Sequence, residues 1–152
     1  SGVQTGASLK RYRRRDMTES DLWVKLREHA SLFKWIRVDT VTPPGFFDAM
    51  LFKDAMVGLV ELKVAPGLDH PDGRLRKTQE VFAALLAGKT QVLFHFVYDP
   101  VHKKGYLKHL ASLKVVILEN QRWEHFANNI EFFIYEQLKQ AYDASLRDAK
   151  RV

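Results

Sequence analysis

The sequence of 152 residues contains no cysteine. This absence excludes a disulfide framework, a thiolate metal site and a cysteine nucleophile. No apolar run approaches the roughly 18 residues of a transmembrane helix, and no signal-peptide hydrophobic region is present. A serine nucleophile elbow, a P-loop and a dinucleotide-binding fingerprint are also missing. We therefore expect a protein of the cytoplasm with no membrane association.

The hydrophobic fraction of 46% is typical of a folded protein, and the length suits one domain with a single core. Residues 17–150 are predicted to form that domain. Residues 1–16 are predicted to be a flexible basic tail, and residues 1–8 could be in part a cloning remnant. No internal repeat or second domain is apparent.

Positive charge is in excess, with a formal net charge of +6 and a pI near 9.6. This balance favours a polyanionic partner. Residues 10–15 carry five positive charges in six positions, among them Arg13, Arg14 and Arg15. They are interpreted as an arm that grips phosphate, with a solvated tail as the alternative.

Hydrophobic periodicity and turn residues indicate alternating helices and strands. They predict a helix capped by Thr18 or Ser20 and running to about residue 33, strands at 35–41, 46–53 and 56–64, a helix at 74–87, strands at 91–98 and 114–119, and a helix at 122–149 with a candidate break at Asn128 and Asn129. This order predicts an α/β fold with a mixed central sheet flanked by helices. The segment 102–109, which includes Tyr106, is interpreted as a basic loop that either contacts nucleic acid or is simply solvated.

The most informative motif is Glu61-Leu62-Lys63, which ends the apolar run 56–60. A second acid, Asp48, lies 13 residues earlier inside another apolar segment, 46–52. Ionisable groups in apolar strands are costly unless they are paired or have a task. Their position therefore indicates a functional site or a structural ion pair.

An antiparallel hairpin between the two segments would bring these residues together. If Lys53 pairs with Met56, the same register places Asp48 opposite Glu61, with Cβ atoms about 5 Å apart. Strand periodicity puts Lys63 on the face of Glu61 and turns the Leu62 side chain to the other face.

Two carboxylates so close repel each other unless a cation or a proton lies between them, and hard oxygen ligands suit Mg²⁺ or Mn²⁺. The backbone carbonyl of Leu62 could complete the coordination. Lys63 could then position the attacking water or neutralise charge on the phosphate. The alternative is a structural ion pair of Lys63 with Glu61 or Asp48. A second acid-x-lysine copy, Asp148-Ala149-Lys150, lies in a polar helical tail without an acid on a nearby strand, and is not interpreted as a site.

With these residues together, the chain resembles the PD-(D/E)xK nuclease superfamily, and most of all its small VRR-NUC-type and phage Holliday-junction-resolvase-like members. Asp48 matches the first acid and Glu61-Leu62-Lys63 the second motif, although Phe47 stands where the family has proline. Gln79 matches a glutamine that often opens the next helix near the catalytic centre, and Glu19 an additional metal-binding acid. The resemblance implies a restriction-endonuclease-like αβββαβ core and Mg²⁺- or Mn²⁺-dependent cleavage of DNA, in a prokaryotic or phage-infected cell.

Several residues have competing interpretations. Arg74, Arg76 and Lys77 lie at a helix start, where the dipole disfavours cations, so a phosphate partner would explain them better than a solvated face. His70 is interpreted as a turn residue and His95 as a core or sheet-face histidine.

The C-terminal apolar stripe from Trp123 to Tyr142 is expected to pack against the sheet, with homodimerisation as the alternative. The leading functional hypothesis is a metal-dependent deoxyribonuclease, structure-selective in the manner of junction or flap enzymes. The alternative is a non-catalytic nucleic-acid-binding module of the same fold. A structural protein with paired sheet-face ions is a third hypothesis.

Overall fold

The computed structural model describes residues 17–38, 46–86 and 90–150. They form an α/β fold in which a six-stranded mixed sheet carries three α-helices, as the sequence predicts. In chain order the elements are α1 (Glu19–His29), β1 (Lys34–Arg37), β2 (Ala49–Lys53), β3 (Met56–Val64), α2 (Lys77–Leu85), a 3₁₀ turn (Thr90–Val92), β4 (Leu93–Asp99), β5 (Lys104–His109), β6 (Val115–Glu119) and α3 (Trp123–Lys150).

The strands lie in the sheet in their chain order, from β1 to β6. Only β3 and β4 run parallel, because the chain crosses over between them through α2. The β2–β3 hairpin has the predicted register, with Lys53 opposite Met56. Its reversal is tight: Asp54 has a φ of 52°, a left-handed conformation that a short polar side chain tolerates.

Helix α1 begins with a capping box. The backbone N–H of Asp21 donates to the Thr18 hydroxyl at 3.1 Å, and the N–H of Thr18 donates to the Asp21 carboxylate at 2.9 Å. These bonds lower the pKa of Asp21. Thr18 is therefore the cap rather than Ser20, and Asp21 serves the helix start.

The two faces of the sheet are covered unequally. Helices α1 and α3 pack on one face over the main core, which includes Leu22, Val60, Phe96 and Ile130. Helix α2 covers part of the other face, over a small cluster formed around Phe47, Leu59 and Leu93. The β5–β6 part of that second face stays open, since Val115 and Ile117 are 46% and 59% exposed.

A buried carboxylate joins α3 to the connection between α1 and β1. Glu131, fully buried, accepts hydrogen bonds from the N–H groups of Ser31, Leu32 and Phe33 and from the indole N–H of Trp35, at 2.7–3.2 Å. Four donors satisfy a charge that would otherwise be costly to bury. Sequence patterns gave no sign of this role.

Several predicted elements and boundaries need correction, among them the end of α1, which is His29 and not residue 33, and the start of β2, which is Ala49 and not residue 46. Residues 104–109 form strand β5 instead of a loop, because Gly105 and Leu107 face the core while the polar residues between them face outward. Gly105 lets this strand lie directly against α3, since a Cβ there would meet the rings of Phe126 and Phe96 at 2.7 Å.

Strand β1 ends at Arg37, Val38 lies beyond its end, and residues 39–41 of its predicted span lie outside the described residues. Helix α2 starts at Lys77, three residues after the predicted start. Helix α3 continues unbroken through Asn128 and Asn129. Its apolar stripe packs in the core through Phe126, Ile130, Ile134 and Leu138, as expected. Within the described ranges, no helix is long and apolar enough to cross a membrane.

Candidate functional site

The acids predicted to cooperate come together on the α2 face of the sheet. Asp48 directly precedes β2. Because Ala49 lies opposite Val60 in the hairpin, Asp48 lies beside Glu61. Glu61 and Lys63 alternate with Leu62, whose side chain points into the main core. The side chains of Glu61 and Lys63 are both buried, at strand positions where apolar residues are the rule.

Each acid is held by the backbone beside the other. The N–H of Asp48 donates to Oε1 of Glu61 at 3.1 Å, and the N–H of Leu62 donates to Oδ2 of Asp48 at 3.3 Å. The second oxygen of Glu61, Oε2, lies 3.1 Å from Nζ of Lys63. Asp48, Glu61 and Lys63 thus form one contiguous cluster, hereafter the acid–lysine cluster.

The acid–lysine cluster contains two carboxyl groups but only one ammonium group. Burial, and after it the nearby charge of Asp48, raises the pKa of Glu61 from 4.5 to about 7. The amide of Gln79 and the ammonium of Lys63 oppose this rise but do not cancel it. The ion pair with Lys63 alone therefore does not offset the cost of ionising Glu61 in this buried position.

Gln79, in the first turn of α2, is fully buried beside Glu61. Its Oε1 accepts the N–H of Arg76 at 2.9 Å, which directs Nε2 away from the helix start. Nε2 is close enough to lower the pKa of Glu61, yet it makes no hydrogen bond of good geometry to a described residue. The Glu61 carboxylate is the acceptor nearest to Nε2, and an acceptor of better geometry would satisfy this buried donor more fully.

Glu19 approaches the cluster from the start of α1. Partial burial of its carboxyl raises its pKa most, and Asp48 adds to the rise, while Lys63, Arg76 and Arg37 lower the pKa. Glu19 is therefore within electrostatic range of the cluster, although the residue as a whole is exposed.

A metal would find few ligands preassembled. Among residues 17–38, 46–86 and 90–150, no three His, Asp or Glu side chains are grouped closely enough to hold an ion. Asp48 and Glu61 could supply two carboxylates. In an extended strand the carbonyl of Leu62 points to the same side as its N–H, which is the β2 side, beyond the last β2–β3 pair at Ala49 and Val60. If the protein binds Mg²⁺ or Mn²⁺ here, hard oxygens of this kind would be a partial shell, and water or phosphate would have to supply the remaining ligands.

His95 was interpreted as a core or sheet-face histidine, and the structure shows it beside Glu61 on β4. Its Nε2 lies 2.6 Å from the carbonyl of Gly73 and must donate, because a carbonyl only accepts. Burial lowers its pKa to about 4, so the ring is neutral. His95 thus holds the loop before α2 against the sheet, a role that no sequence motif predicts.

The predicted phosphate contacts lie around the start of α2. Arg74, Arg76 and Lys77 are all exposed, and Nε of Arg74 donates to the carbonyl of Asp69 at 2.8 Å. The charge of Arg76 reaches Glu19, so it borders the acid–lysine cluster. The other predicted contacts, Arg13, Arg14 and Arg15, lie outside the described residues.

Comparison of the chain with protein-family models, with curated proteins and with solved structures found no match. The superfamily resemblance therefore stays a prediction from the motif, and the functional argument depends on the site itself.

Proposed function

We propose that the protein is a nuclease that hydrolyses DNA phosphodiester bonds with Mg²⁺ or Mn²⁺ bound at Asp48 and Glu61. The observation that supports this most is the acid–lysine cluster, which lies beside the buried amide of Gln79. On this proposal the strands from β1 to β4 and helices α1 and α2 form a restriction-endonuclease-like core.

Each residue of the site has a proposed role that follows from its chemistry. Asp48, Glu61 and the Leu62 carbonyl would hold the ion, with Glu19 reaching it through water. A bound divalent ion polarises the phosphate and lowers the pKa of an attacking water. Lys63 would stabilise the charge on the phosphate, and Nε2 of Gln79 would donate to a phosphate or water oxygen.

The positive residues would position the DNA. Arg74, Arg76 and Lys77, exposed at the start of α2, are suited to contact phosphates on either side of the cut. The basic Arg13–Arg15 tail would add sequence-independent attraction that weakens with salt.

The competing proposal is a non-catalytic nucleic-acid-binding module. The 3.1 Å ion pair between Lys63 and Glu61, together with the lack of a group of three ligands in the described part of the chain, favours it. In that case the cluster would serve the stability of the sheet.

Cleavage assays separate the two proposals. The full chain is incubated with junction, flap, single-stranded and duplex DNA of equal length, with Mn²⁺ or with EDTA. The nuclease proposal expects Mn²⁺-dependent cuts that Asp48→Asn and Lys63→Met each reduce by about 100-fold or more, while DNA binding in EDTA persists.

The chain supplies a matched control in its second acid-x-lysine copy. Asp148→Asn and Lys150→Met make the same chemical changes at exposed positions of α3 and should leave cutting unchanged. Absence of cutting by the wild type, or equal loss in the α3 variants, would contradict the nuclease proposal.

A further inference from the structure

The open part of the α2 face carries an alternating row of side chains on strand β5. Lys104, Tyr106 and Lys108 point to this face and are half-exposed, while Gly105 and Leu107 between them are buried on the other. Residues two apart on a strand are about 7 Å apart. An aromatic ring is thus flanked on both sides by an ammonium group.

This row is in register with the acid–lysine cluster. Across β4, Lys108 lies in the row of His95 and Glu61, and Tyr106 in the row of Val97 and Lys63. Neighbouring strands are about 4.8 Å apart, so Tyr106 is about 10 Å from Lys63. Burial lowers the pKa of His95 most, and the charges of Lys63 and Lys108 lower it further, so both lysines lie within electrostatic range of this ring.

Tyr106 also forms one side of a shallow hollow of about 430 Å³. The other side is the loop after β3, with Pro66, Gly67, Leu68, Asp69 and His70. Backbone hydrogen bonds hold the loop in shape: His70 donates to Gly67, and Gly73 donates to His70. His95 fastens it to the sheet through Gly73, so the hollow is preformed.

The surroundings of the row are apolar as well as basic. Ile117 follows Tyr106 in the same row on β6, and Val115 follows Lys108; both are exposed. Neither Lys104 nor Lys108 forms an ion pair with a residue in the described ranges. Lys104 lies opposite Asp99 on β4 and Glu119 on β6. These acids reduce the positive potential around Lys104, so Lys108 should attract phosphate more strongly.

Basic side chains that alternate with an aromatic ring are suited to single-stranded nucleic acid. Unpaired bases can stack on a ring and contact aliphatic side chains, while lysines contact the phosphates between them. A duplex hides the faces of its bases and presents only phosphate and sugar to such a surface. The straight-line distance of about 10 Å to Lys63 corresponds to about three stacked nucleotides, and a strand that joins the two would pass above Val97, which lies between them and is buried.

We propose that β5 is a platform for single-stranded DNA, on which an unpaired base stacks on Tyr106 beside the 66–70 loop while Lys108 and, more weakly, Lys104 grip the flanking phosphates. Together with the proposed nuclease function, on which this extension rests, it makes DNA with an unpaired segment next to a cut site the substrate class. The platform itself depends only on binding, which can be measured without cleavage.

Fluorescence anisotropy of the full chain in EDTA tests the platform. Labelled single strand, blunt duplex and duplex with a single-stranded overhang are titrated against the wild type and against Tyr106→Leu and Tyr106→Phe. Leucine keeps the apolar bulk but removes the flat ring, so the variant should stay folded. We expect it to weaken binding of the single strand and the overhang by about 5- to 150-fold and binding of the duplex by less than about 2-fold, with phenylalanine like the wild type.

Salt titration tests the lysines. Lys108→Gln should reduce the salt dependence of single-strand binding by about 0.7 in log–log slope, and Lys104→Gln by less. Lys139→Gln, on α3, is a matched control for the loss of one charge and should leave the slope unchanged. Equal weakening of duplex and single strand by Tyr106→Leu, no weakening at all, or an unchanged slope in Lys108→Gln would overturn the platform.

The two proposals fail in different ways. If Mn²⁺ gives no cutting but the Tyr106-dependent preference for single strands is present, the platform stands and the protein is a binding module. If Mn²⁺ gives cutting but Tyr106→Leu binds and cuts overhangs as the wild type does, the nuclease stands and the platform is refuted.

Discussion

Glu61→Gln should make the protein more stable at neutral and alkaline pH when no metal is present. Glu61 is 1% exposed, and its pKa rises from 4.5 to about 7 on folding because of burial and of repulsion by Asp48. The folded chain therefore binds this proton more tightly than the unfolded chain. The resulting contribution to stability is fully present below pH 4.5 and is lost as the pH rises through 7.

The size of the effect follows from the two pKa values. Each pKa unit corresponds to about 1.4 kcal/mol, so ionisation of Glu61 costs the wild type about 3 kcal/mol once the pH is above 7. Glutamine has the same shape as the protonated acid and does not ionise. From about pH 5 to about pH 8, the free energy of unfolding of the wild type should therefore fall by about 3 kcal/mol relative to the variant.

Urea denaturation in EDTA at these two pH values measures the difference. Glu124→Gln, which neutralises an exposed acid on α3, is the control and should follow the wild type at both. A difference between wild type and Glu61→Gln that does not change with pH would refute the electrostatic argument. Addition of Mn²⁺ at the higher pH should stabilise the wild type and not the variant, since a cation replaces the missing proton.

Three further variants test the packing and the site. Glu131→Leu should lower the free energy of unfolding by about 3 kcal/mol in urea denaturation, because the indole N–H of Trp35 and three backbone N–H groups lose their acceptor. Gly105→Ala should cost about 1–3 kcal/mol in the same assay, because its Cβ would meet Phe96 and Phe126 at 2.7 Å. Gln79→Met should change the free energy of unfolding in EDTA by less than about 1 kcal/mol, because it removes the bond to Arg76 and also a buried donor that lacks a hydrogen bond of good geometry. Mn²⁺-dependent cutting should fall at least 10-fold. A large loss of stability would mean that Nε2 has a partner in the protein.

Local patterns in the sequence were enough to predict how the acid–lysine cluster is arranged. Strand periodicity and one tight reversal at Asp54 determine that Asp48 meets Glu61 and that Lys63 shares their face. Strand β5 could not be predicted in the same way, because its alternation of lysine and tyrosine with Gly105 and Leu107 is hidden in a segment of high charge.

Long-range contacts were beyond sequence reasoning. The four hydrogen bonds of Glu131 join residues 96 to 100 positions apart, and nothing in the helical pattern distinguishes this acid from a solvated one. The same holds for His95, whose partner Gly73 lies 22 residues away, and for the arrangement of Glu19, whose proximity to Lys63 depends on how α1 packs.

Two main-chain N–H groups, those of Asp48 and Leu62, hold the carboxylates of Glu61 and Asp48 respectively. Each acid is oriented by a main-chain N–H from the other side of the hairpin, and a side-chain substitution of one acid leaves the N–H that holds the other in place. What couples two such substitutions is the repulsion between the carboxylates, so their effects on stability should not be additive. The position of both carboxylates therefore depends on the backbone of this one hairpin.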